Sequence, residues 1–163
     1  MNDAAPSIAR QSIALASFIA ICLAVGAAGG LATAESVATW YPTLVKPSFN
    51  PPNWVFAPVW TALYILMAFA AWLVWRQAGW QRGRPALALF ALQLALNLAW
   101  SFLFFRFHQI GLALVDIALL LAAIGAAALA FLAHSRAAAL LLMPYLAWVS
   151  FAALLNYAIL RLN

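Results

Sequence analysis

The sequence predicts an all-α integral membrane protein, a bundle of five transmembrane helices that forms one domain over residues 1–163. Composition is the first reason, because 69% of the residues are hydrophobic and only 7% are charged, with a mean hydropathy of +1.02. Soluble domains carry about 25% charged residues. The second reason is that the apolar residues fall into runs near the roughly 20 residues that a helix needs to cross a bilayer. The five predicted spans cover about residues 12–32, 54–75, 86–105, 110–133 and 137–160.

The first span follows a short polar tail, residues 1–11, and has some features of a signal peptide. Arg10 precedes it and small residues occupy positions 32–34. Its apolar stretch, however, exceeds the roughly 7–15 residues of a signal core, so we expect a retained helix. Gly26 and Gly30 form a G-x-x-x-G pair in this helix. Such a pair lets another helix approach closely.

The longest predicted connection, residues 33–53, is rich in proline. It contains Pro42, Pro47, Pro51 and Pro52. Proline fixes its own φ and restricts the residue before it, which makes the segment stiff. Long connections without secondary structure are uncommon and often functional. We therefore expect a lid folded over one end of the bundle.

The remaining connections are short and carry most of the basic residues. Residues 76–85 link spans two and three, and brief turns follow spans three and four, so that successive spans are antiparallel. The net charge of +5 is thus explained by contacts with headgroups and not by nucleic acid. The side of the membrane that holds the N-terminus carries five basic residues and the opposite side carries three. Because basic residues favour the cytoplasmic side, this excess places the N-terminus in the cytoplasm. That side holds Arg10, Arg76, Arg82, Arg84 and Arg136, and the other holds Lys46, Arg106 and Arg161.

Polar and aromatic side chains form stripes on three spans. On span three, Gln93, Asn97, Trp100 and Phe104 lie on one helical face. The matching residues are Trp60 and Tyr64 on span two, and Tyr145, Trp148 and Asn156 on span five. If these stripes converge, they form a cavity with aromatic walls and a few amides, which suits a flat apolar ligand. The alternative is that they only pack and hydrogen bond between helices.

Sites for classical catalysis or metal binding are not predicted. The sequence has no paired-carboxylate motif, no H-E-x-x-H, no phosphate-binding glycine loop and, with Cys22 alone, no cysteine cluster. We therefore predict no metal and no cofactor. Asp116 lies inside span four, where we expect a structural hydrogen bond, with Arg106 or His108 as its candidate partner.

Two segments resemble the signature of a known family. Residues 40–47, WYPTLVKP, and residues 51–64, PPNWVFAPVWTALY, are similar to the first loop and second helix of the TspO/MBR family. These are the tryptophan-rich sensory proteins of bacteria and the mitochondrial translocator protein, or peripheral benzodiazepine receptor. Further matches are Leu92-Gln93-Leu94, Asn97 and Trp100-Ser101 on span three, and Pro144 to Trp148 with Leu155-Asn156 on span five.

The resemblance implies five tilted helices, a homodimer and a ligand pocket beneath the first loop. The implied ligands are porphyrins such as protoporphyrin IX, sterols in some members, and isoquinoline or benzodiazepine drugs. Carried over by motif, the pocket residues are Tyr41, Trp60, Asn97, Trp100 and Trp148. The polar and aromatic stripes add Tyr64, Gln93 and Tyr145 as expected ligand contacts. A short pattern proposed for sterol contact fits Leu155, Tyr157 and Arg161, although an interfacial anchor explains it equally well.

Three functions are consistent with the sequence and with this family resemblance. The leading hypothesis is a membrane protein that binds porphyrin and acts in tetrapyrrole transport, sensing or stress regulation. The alternatives are an enzyme that degrades porphyrin in light, and a membrane scaffold without a physiological small ligand. The excess of arginine over lysine favours a bacterial member, and hence the bacterial cell membrane.

Overall fold

The computed structural model describes residues 7–163, so the first six residues of the predicted polar tail lie outside it. The described chain is mostly helical and contains no strand. Two 3-10 turns, Tyr41–Thr43 and Asn53–Val55, lie in the connection after the first helix, and a π-helical segment, Phe102–Arg106, follows the second. The helices are α1 (Ile8–Thr39), α2 (Phe56–Ser101), α3 (Ile110–Leu132), α4 (Arg136–Leu141) and α5 (Met143–Leu162).

Helix α2 is a hairpin of two helical halves. Gly79 separates them with φ 65° and ψ −176°, a conformation that only glycine adopts readily. The Tyr64 hydroxyl donates to Asn97 Oδ1 at 2.5 Å although the two residues are 33 positions apart. In a straight helix that separation would span about 50 Å. The first and second halves of α2 therefore lie side by side and antiparallel.

Two predicted loop boundaries are wrong. The connection predicted for residues 33–53 begins later, because α1 continues as a regular helix to Thr39. Thr33 and Thr39 donate their hydroxyls to carbonyls of the preceding turn, so polar residues here do not end the helix. The connection predicted for residues 76–85 is helical except at Gly79, since a single residue with positive φ reverses the chain.

Four helical stretches of the described chain are long and apolar enough to cross a membrane: Ile8–Thr39, Asn53–Arg106, Ile110–Leu132 and Arg136–Leu162. The protein is an integral membrane protein of the all-α class.

Small residues bring the helices together in the core. Ala68, Ala71, Ala127 and Ala138 are fully buried. Membrane helices gain packing energy when such residues allow their backbones to approach closely, since lipid provides little hydrophobic drive for association. Larger side chains fill the space between these contacts, as where the rings of Phe90 and Phe131 stack 5.9 Å apart.

Candidate ligand cavity

A cavity of about 580 Å³ lies beneath the proline-rich connection, between α1, both halves of α2 and α5. Its size falls within the roughly 300–1,000 Å³ range of sites for small molecules. Its wall is mostly apolar. The aromatic residues that line it are Tyr41, Phe56, Trp60, Tyr64, Trp100, Phe104, Phe105 and Trp148.

The aromatic side chains of this wall hold one another in place. Trp100 stacks on Phe104 with ring centroids 5.3 Å apart, and Trp60 lies 5.7 Å from Tyr64. Phe56 meets Trp148 edge-on at 5.9 Å. Each such pair is worth about 0.5–1.5 kcal/mol beyond its buried area. The wall is therefore a set of mutually supported flat surfaces.

Amide groups fix the orientation of two of these aromatic residues. Asn97 accepts from Tyr64, and Asn156 Oδ1 accepts from Trp100 Nε1 at 3.0 Å. Asn156 Nδ2 in turn donates to the Ile110 carbonyl at 3.0 Å, which connects α5 to the start of α3. Both amides are almost completely buried.

The Trp148 indole offers a hydrogen-bond donor in the same wall. Its Nε1 is buried and, within residues 7–163, has no hydrogen-bond partner. A buried donor without a partner is costly, by about 1–3 kcal/mol. An acceptor on a ligand would reach this nitrogen only after the side chains around it moved aside.

Helix α1 forms the opposite wall with small residues. Ala27, Gly29, Gly30 and Ala34 line the cavity there. Position 26 requires glycine because the backbone of α1 lies close to the Tyr64 ring. A β-carbon at this position would lie 2.6 Å from Tyr64 Cε2. The predicted G-x-x-x-G pair thus accommodates a ring of the same chain at Gly26, whereas Gly30 has open space beside it.

Lys46 holds the connection above the cavity in a compact shape. Its ammonium donates to the carbonyls of Tyr41 at 2.7 Å and Leu44 at 2.9 Å, and lies 4.9 Å from the Tyr41 ring centroid. The Tyr41 hydroxyl donates to Asn50 Oδ1 at 2.6 Å. Burial raises the pKa of this hydroxyl, and the Asn50 hydrogen bond opposes the shift only in part. Tyr41 therefore stays protonated and remains a donor.

Asn163 joins α5 to this connection. Its Oδ1 accepts from the Val45 amide at 3.0 Å, and its Nδ2 donates to the Val45 carbonyl at 3.0 Å. Two such bonds to one residue hold the connection in register against the helix end. The connection is thus fastened at Tyr41 by Lys46 and at Val45 by Asn163.

A second set of contacts ties α1 to the turn after α2. Ser36 donates to the Phe105 carbonyl, and its hydroxyl lies 3.2 Å from His108 Nε2. His108, at φ 55°, stacks on Trp40 with ring centroids 4.0 Å apart. Arg106 pairs with Glu35 at 3.4 Å. The expected pairing of Arg106 or His108 with Asp116 is wrong, since both have partners on α1.

The predicted ligand contacts divide into two groups. Six of them line the cavity: Tyr41, Trp60, Tyr64, Asn97, Trp100 and Trp148. Gln93 and Tyr145 are not among the described lining residues. Gln93 Nε2 approaches Met67 Sδ at 3.8 Å between the halves of α2, and Tyr145 is fully buried behind Trp60, edge-on at 6.2 Å.

The three residues of the sterol pattern do not share one surface. Leu155 is buried and lines the cavity. Tyr157 is 49% exposed, and Arg161 is also exposed. A sterol on the outside of the bundle would therefore meet Tyr157 and Arg161 but not Leu155.

Sequence reasoning assigned no cavity-lining role to α1. Leu23, Gly26 and Ala34 all line the cavity. Small apolar residues give no periodic polar signal, so their position facing a ligand site could not be distinguished from ordinary helix packing. The G-x-x-x-G pair was the available clue, because it marks a face of close approach.

The fold and the site define a class: a multi-pass helical membrane protein with an aromatic cavity beneath a proline-rich connection. Comparison with known proteins gives the family. The chain belongs to the TspO/MBR family, which it matches over residues 18–162.

Several relatives are similar over most of the chain. It is 49% identical over 156 residues to the tryptophan-rich protein TspO of Chlorobaculum tepidum, which covers 94% of this chain and 98% of the relative. It is 45% identical over 126 residues to the translocator protein of Homo sapiens, covering 76% and 75%. The tryptophan-rich sensory protein of Cereibacter sphaeroides is 37% identical over 147 residues, covering 90% and 89%.

Proposed function

We propose that this protein binds porphyrins, such as protoporphyrin IX, and similar flat hydrophobic molecules in the cavity beneath the connection, and acts in their transport, in sensing or in stress regulation. The observation that carries the proposal is that Trp60, Trp100 and Trp148 border one cavity of about 580 Å³. Indole rings provide flat apolar area for offset stacking with a planar π-system. The names of two relatives, translocator protein and tryptophan-rich sensory protein, agree with transport or sensing.

The cavity has few polar groups, which suits a ligand that is apolar over most of its surface. Trp148 Nε1 is a buried donor, and the Asn97 and Asn156 amides lie in the same wall. A porphyrin with propionate groups presents acceptors at the edge of an apolar disc. Few but well-placed polar groups are typical of sites that orient an otherwise apolar ligand.

An absorbance titration tests this proposal. Protoporphyrin IX is added to the purified protein in detergent, and the porphyrin band is compared with that in detergent alone. We expect a saturable spectral change with a stoichiometry near one per chain. A spectrum identical to that of the free porphyrin at all protein concentrations would favour the scaffold hypothesis.

Light-dependent porphyrin degradation is the second candidate. It is favoured by the same three indoles, which can donate an electron to an excited porphyrin where phenyl rings cannot do so readily. The bound complex is illuminated, the loss of absorbance is followed, and the products are separated and weighed by mass spectrometry. Bleaching faster than in detergent alone, with a defined product, would indicate an enzyme, whereas recovery of intact porphyrin would indicate a binder.

We further propose that the chain crosses the bacterial cell membrane five times. The two antiparallel halves of α2 support separate crossings, because Gly79 reverses the chain between them. The excess of arginine over lysine and the bacterial relatives support a bacterial origin. A cysteine introduced beside Gly79 should react with a membrane-impermeant thiol reagent from the same side as one introduced at residue 7.

A homodimer is proposed on the small-residue face of the second half of α2. Ala91 and Ala95 are exposed on the outside of the described bundle, with Ala99 partly so. Ala95→Leu should shift a detergent-solubilised dimer toward monomer by light scattering. Ala122→Leu, on an exposed face of α3, is the matched control. An Ala95→Leu protein with an unchanged mass would exclude this face.

Sterol contact on the outer surface is a remaining proposal. It concerns the exposed Tyr157 and Arg161, which lie one helical turn apart on α5. Crosslinking with a photoreactive sterol should label Tyr157 itself and spare the cavity-lining Leu155 and Ile159, as located by fragmentation of the labelled peptide.

A further inference from the structure

A second groove lies along the N-terminal half of α1 and shares no lining residue with the cavity beneath the connection. It has a volume of about 270 Å³ and is formed by one face of α1 and by two tryptophans of α2. Arg10 stands at its mouth and Trp75 and Trp80 flank it. The face of α1 that lines the rest comprises Ile13, Ala14, Ser17, Phe18 and Ile21.

The groove has the depth of one membrane leaflet. From Arg10 to Ile21 the helical rise is about 16 Å, close to half of the roughly 30 Å hydrocarbon core. Its charged residue lies at one end, and apolar side chains follow along its length. Ile13 and Ile21 are 68% and 55% exposed, so the groove is accessible from the lipid.

The cation at the mouth is held in position. The Arg10 guanidinium lies 6.0 Å from the Trp75 ring centroid, and the Trp72 indole donates to the Gln11 carbonyl at 3.1 Å. A cation over an indole face is stabilised by the ring's quadrupole. Arg76 lies in the same way over Trp72, at 5.2 Å. Two arginines on adjacent helices are thus fixed at the same membrane level.

This end of the bundle has a positive charge balance. Gln77 hydrogen bonds to Ser135 at 3.3 Å, which brings the start of α4 and its Arg136 to the same end. The described acids lie elsewhere, with Glu35 paired to Arg106 near the other end of α1 and Asp116 inside α3. The third acid of the sequence, Asp3, is outside the described residues.

We propose that this groove is a binding site for an anionic phospholipid. The phosphate would lie between Arg10 and the exposed indole of Trp80, and one acyl chain would lie along the face of α1. Basic pockets between membrane helices are typical of anionic headgroup binding, at about 1 kcal/mol per basic residue near the surface. A tryptophan at the headgroup level fits the same arrangement. The bound lipid would hold the first half of α1 against α2.

The test compares two lipids on the whole chain in detergent. Dioleoyl phosphatidylglycerol and dioleoyl phosphatidylcholine have identical acyl chains and differ in headgroup charge. We expect the anionic lipid to be retained in native mass spectrometry and to raise the thermal unfolding temperature more than the neutral lipid. Equal retention of the two lipids would overturn the proposal, as would an equal stabilisation by inorganic phosphate.

Two variants separate the charge from the groove. Arg10→Gln should weaken retention of phosphatidylglycerol about fivefold, and Ser17→Phe, which blocks the acyl path without changing charge, should weaken retention of both lipids. Arg84→Gln is the control, because it removes an exposed arginine that does not line the groove. An equal loss in Arg84→Gln would show general surface attraction and would contradict a defined site. A changed oligomeric state in Ser17→Phe with unaltered lipid retention would assign the groove to a second copy of this chain.

Discussion

The edge of the Tyr64 ring occupies the space that a β-carbon on Gly26 would need, with Cε2 2.6 Å from that position. The ring cannot move aside freely, because its hydroxyl donates to the buried Asn97 amide. This contact fixes how closely α1 approaches α2, and it lies in the wall of the cavity. The separation of the two helices and the shape of the site therefore depend on one glycine.

We expect Gly26→Ala to lower the free energy of unfolding by about 1–3 kcal/mol, as other overpacked positions do. The matched control is Gly30→Ala, one turn further along α1, where nothing lies within 4 Å of the new β-carbon. That variant should be neutral or slightly stabilising, since alanine favours the helix. Thermal unfolding in one detergent measures both. Equal stability of the two variants would show that the Tyr64 contact is not tight.

Replacing Trp60 or Trp148 by Phe should weaken porphyrin binding by about 1 kcal/mol, or about fivefold. Phenylalanine keeps an aromatic ring but loses area and, at Trp148, a buried donor. If the protein degrades porphyrin in light, turnover should fall more than affinity. Absorbance titration and bleaching rates measure these effects on variants whose thermal stability matches the parent protein. Trp80→Phe is the control, because Trp80 lines the second groove and not the cavity. Stable variants that bind and bleach like the parent would contradict this assignment of the site.

Asn163→Ala should speed ligand release without altering the cavity wall. The change removes both hydrogen bonds to Val45, so the connection above the cavity loses its attachment to α5. If the lost hydrogen bonds stabilise the closed connection by about 1 kcal/mol, the release rate rises about fivefold. Stopped-flow dilution of the porphyrin complex measures it. Leu162→Ala, a neighbouring change at an exposed residue, should leave the rate as it is. A slower or unchanged release in Asn163→Ala would mean that the connection does not control exit.

Gly79→Ala should destabilise the hairpin of α2 by about 1–3 kcal/mol, because alanine is strained at φ 65°. The cause is the backbone alone, since nothing lies within 4 Å of a β-carbon there. Gly83→Ala, inside the second half with ordinary contacts, is the comparison and should cost little. Chemical unfolding in mixed micelles distinguishes the two. A Gly79→Ala protein as stable as Gly83→Ala would show that the turn tolerates other conformations.

The helical class could be predicted, and six of the eight predicted ligand contacts do line the cavity, because their signals are local and periodic. Asn97 and Trp100 recur with the period of a helix, which places them on one face. Because an amide in hydrocarbon needs a hydrogen-bond partner, that face is expected to point into the bundle. The helical state of residues 76–85 could not be predicted. Three arginines and Pro85 resemble a loop, and nothing in the sequence shows that Gly79 alone reverses the chain.

The inner position of Tyr145 and Gln93 also escaped prediction. Both share helical faces with residues that line the cavity, yet Tyr145 lies behind Trp60 and Gln93 lies between the halves of α2. Helical periodicity shows which face of a helix a residue lies on. It does not show how deeply the side chains of a neighbouring helix bury that residue. That depth depends on side-chain sizes on other helices, such as Gly26 against Tyr64.

Tyr64 and Asn97 belong to the same continuous stretch of chain, and this bears on how the protein enters the membrane during synthesis. An unpaired amide in hydrocarbon is expensive. Asn97 Oδ1 on the second half of α2 therefore gains its partner only once this half lies against the first half, which is synthesised earlier. The pairing of Tyr64 with Asn97 Oδ1 needs no other helix, so it can form as soon as the second half of α2 has been made.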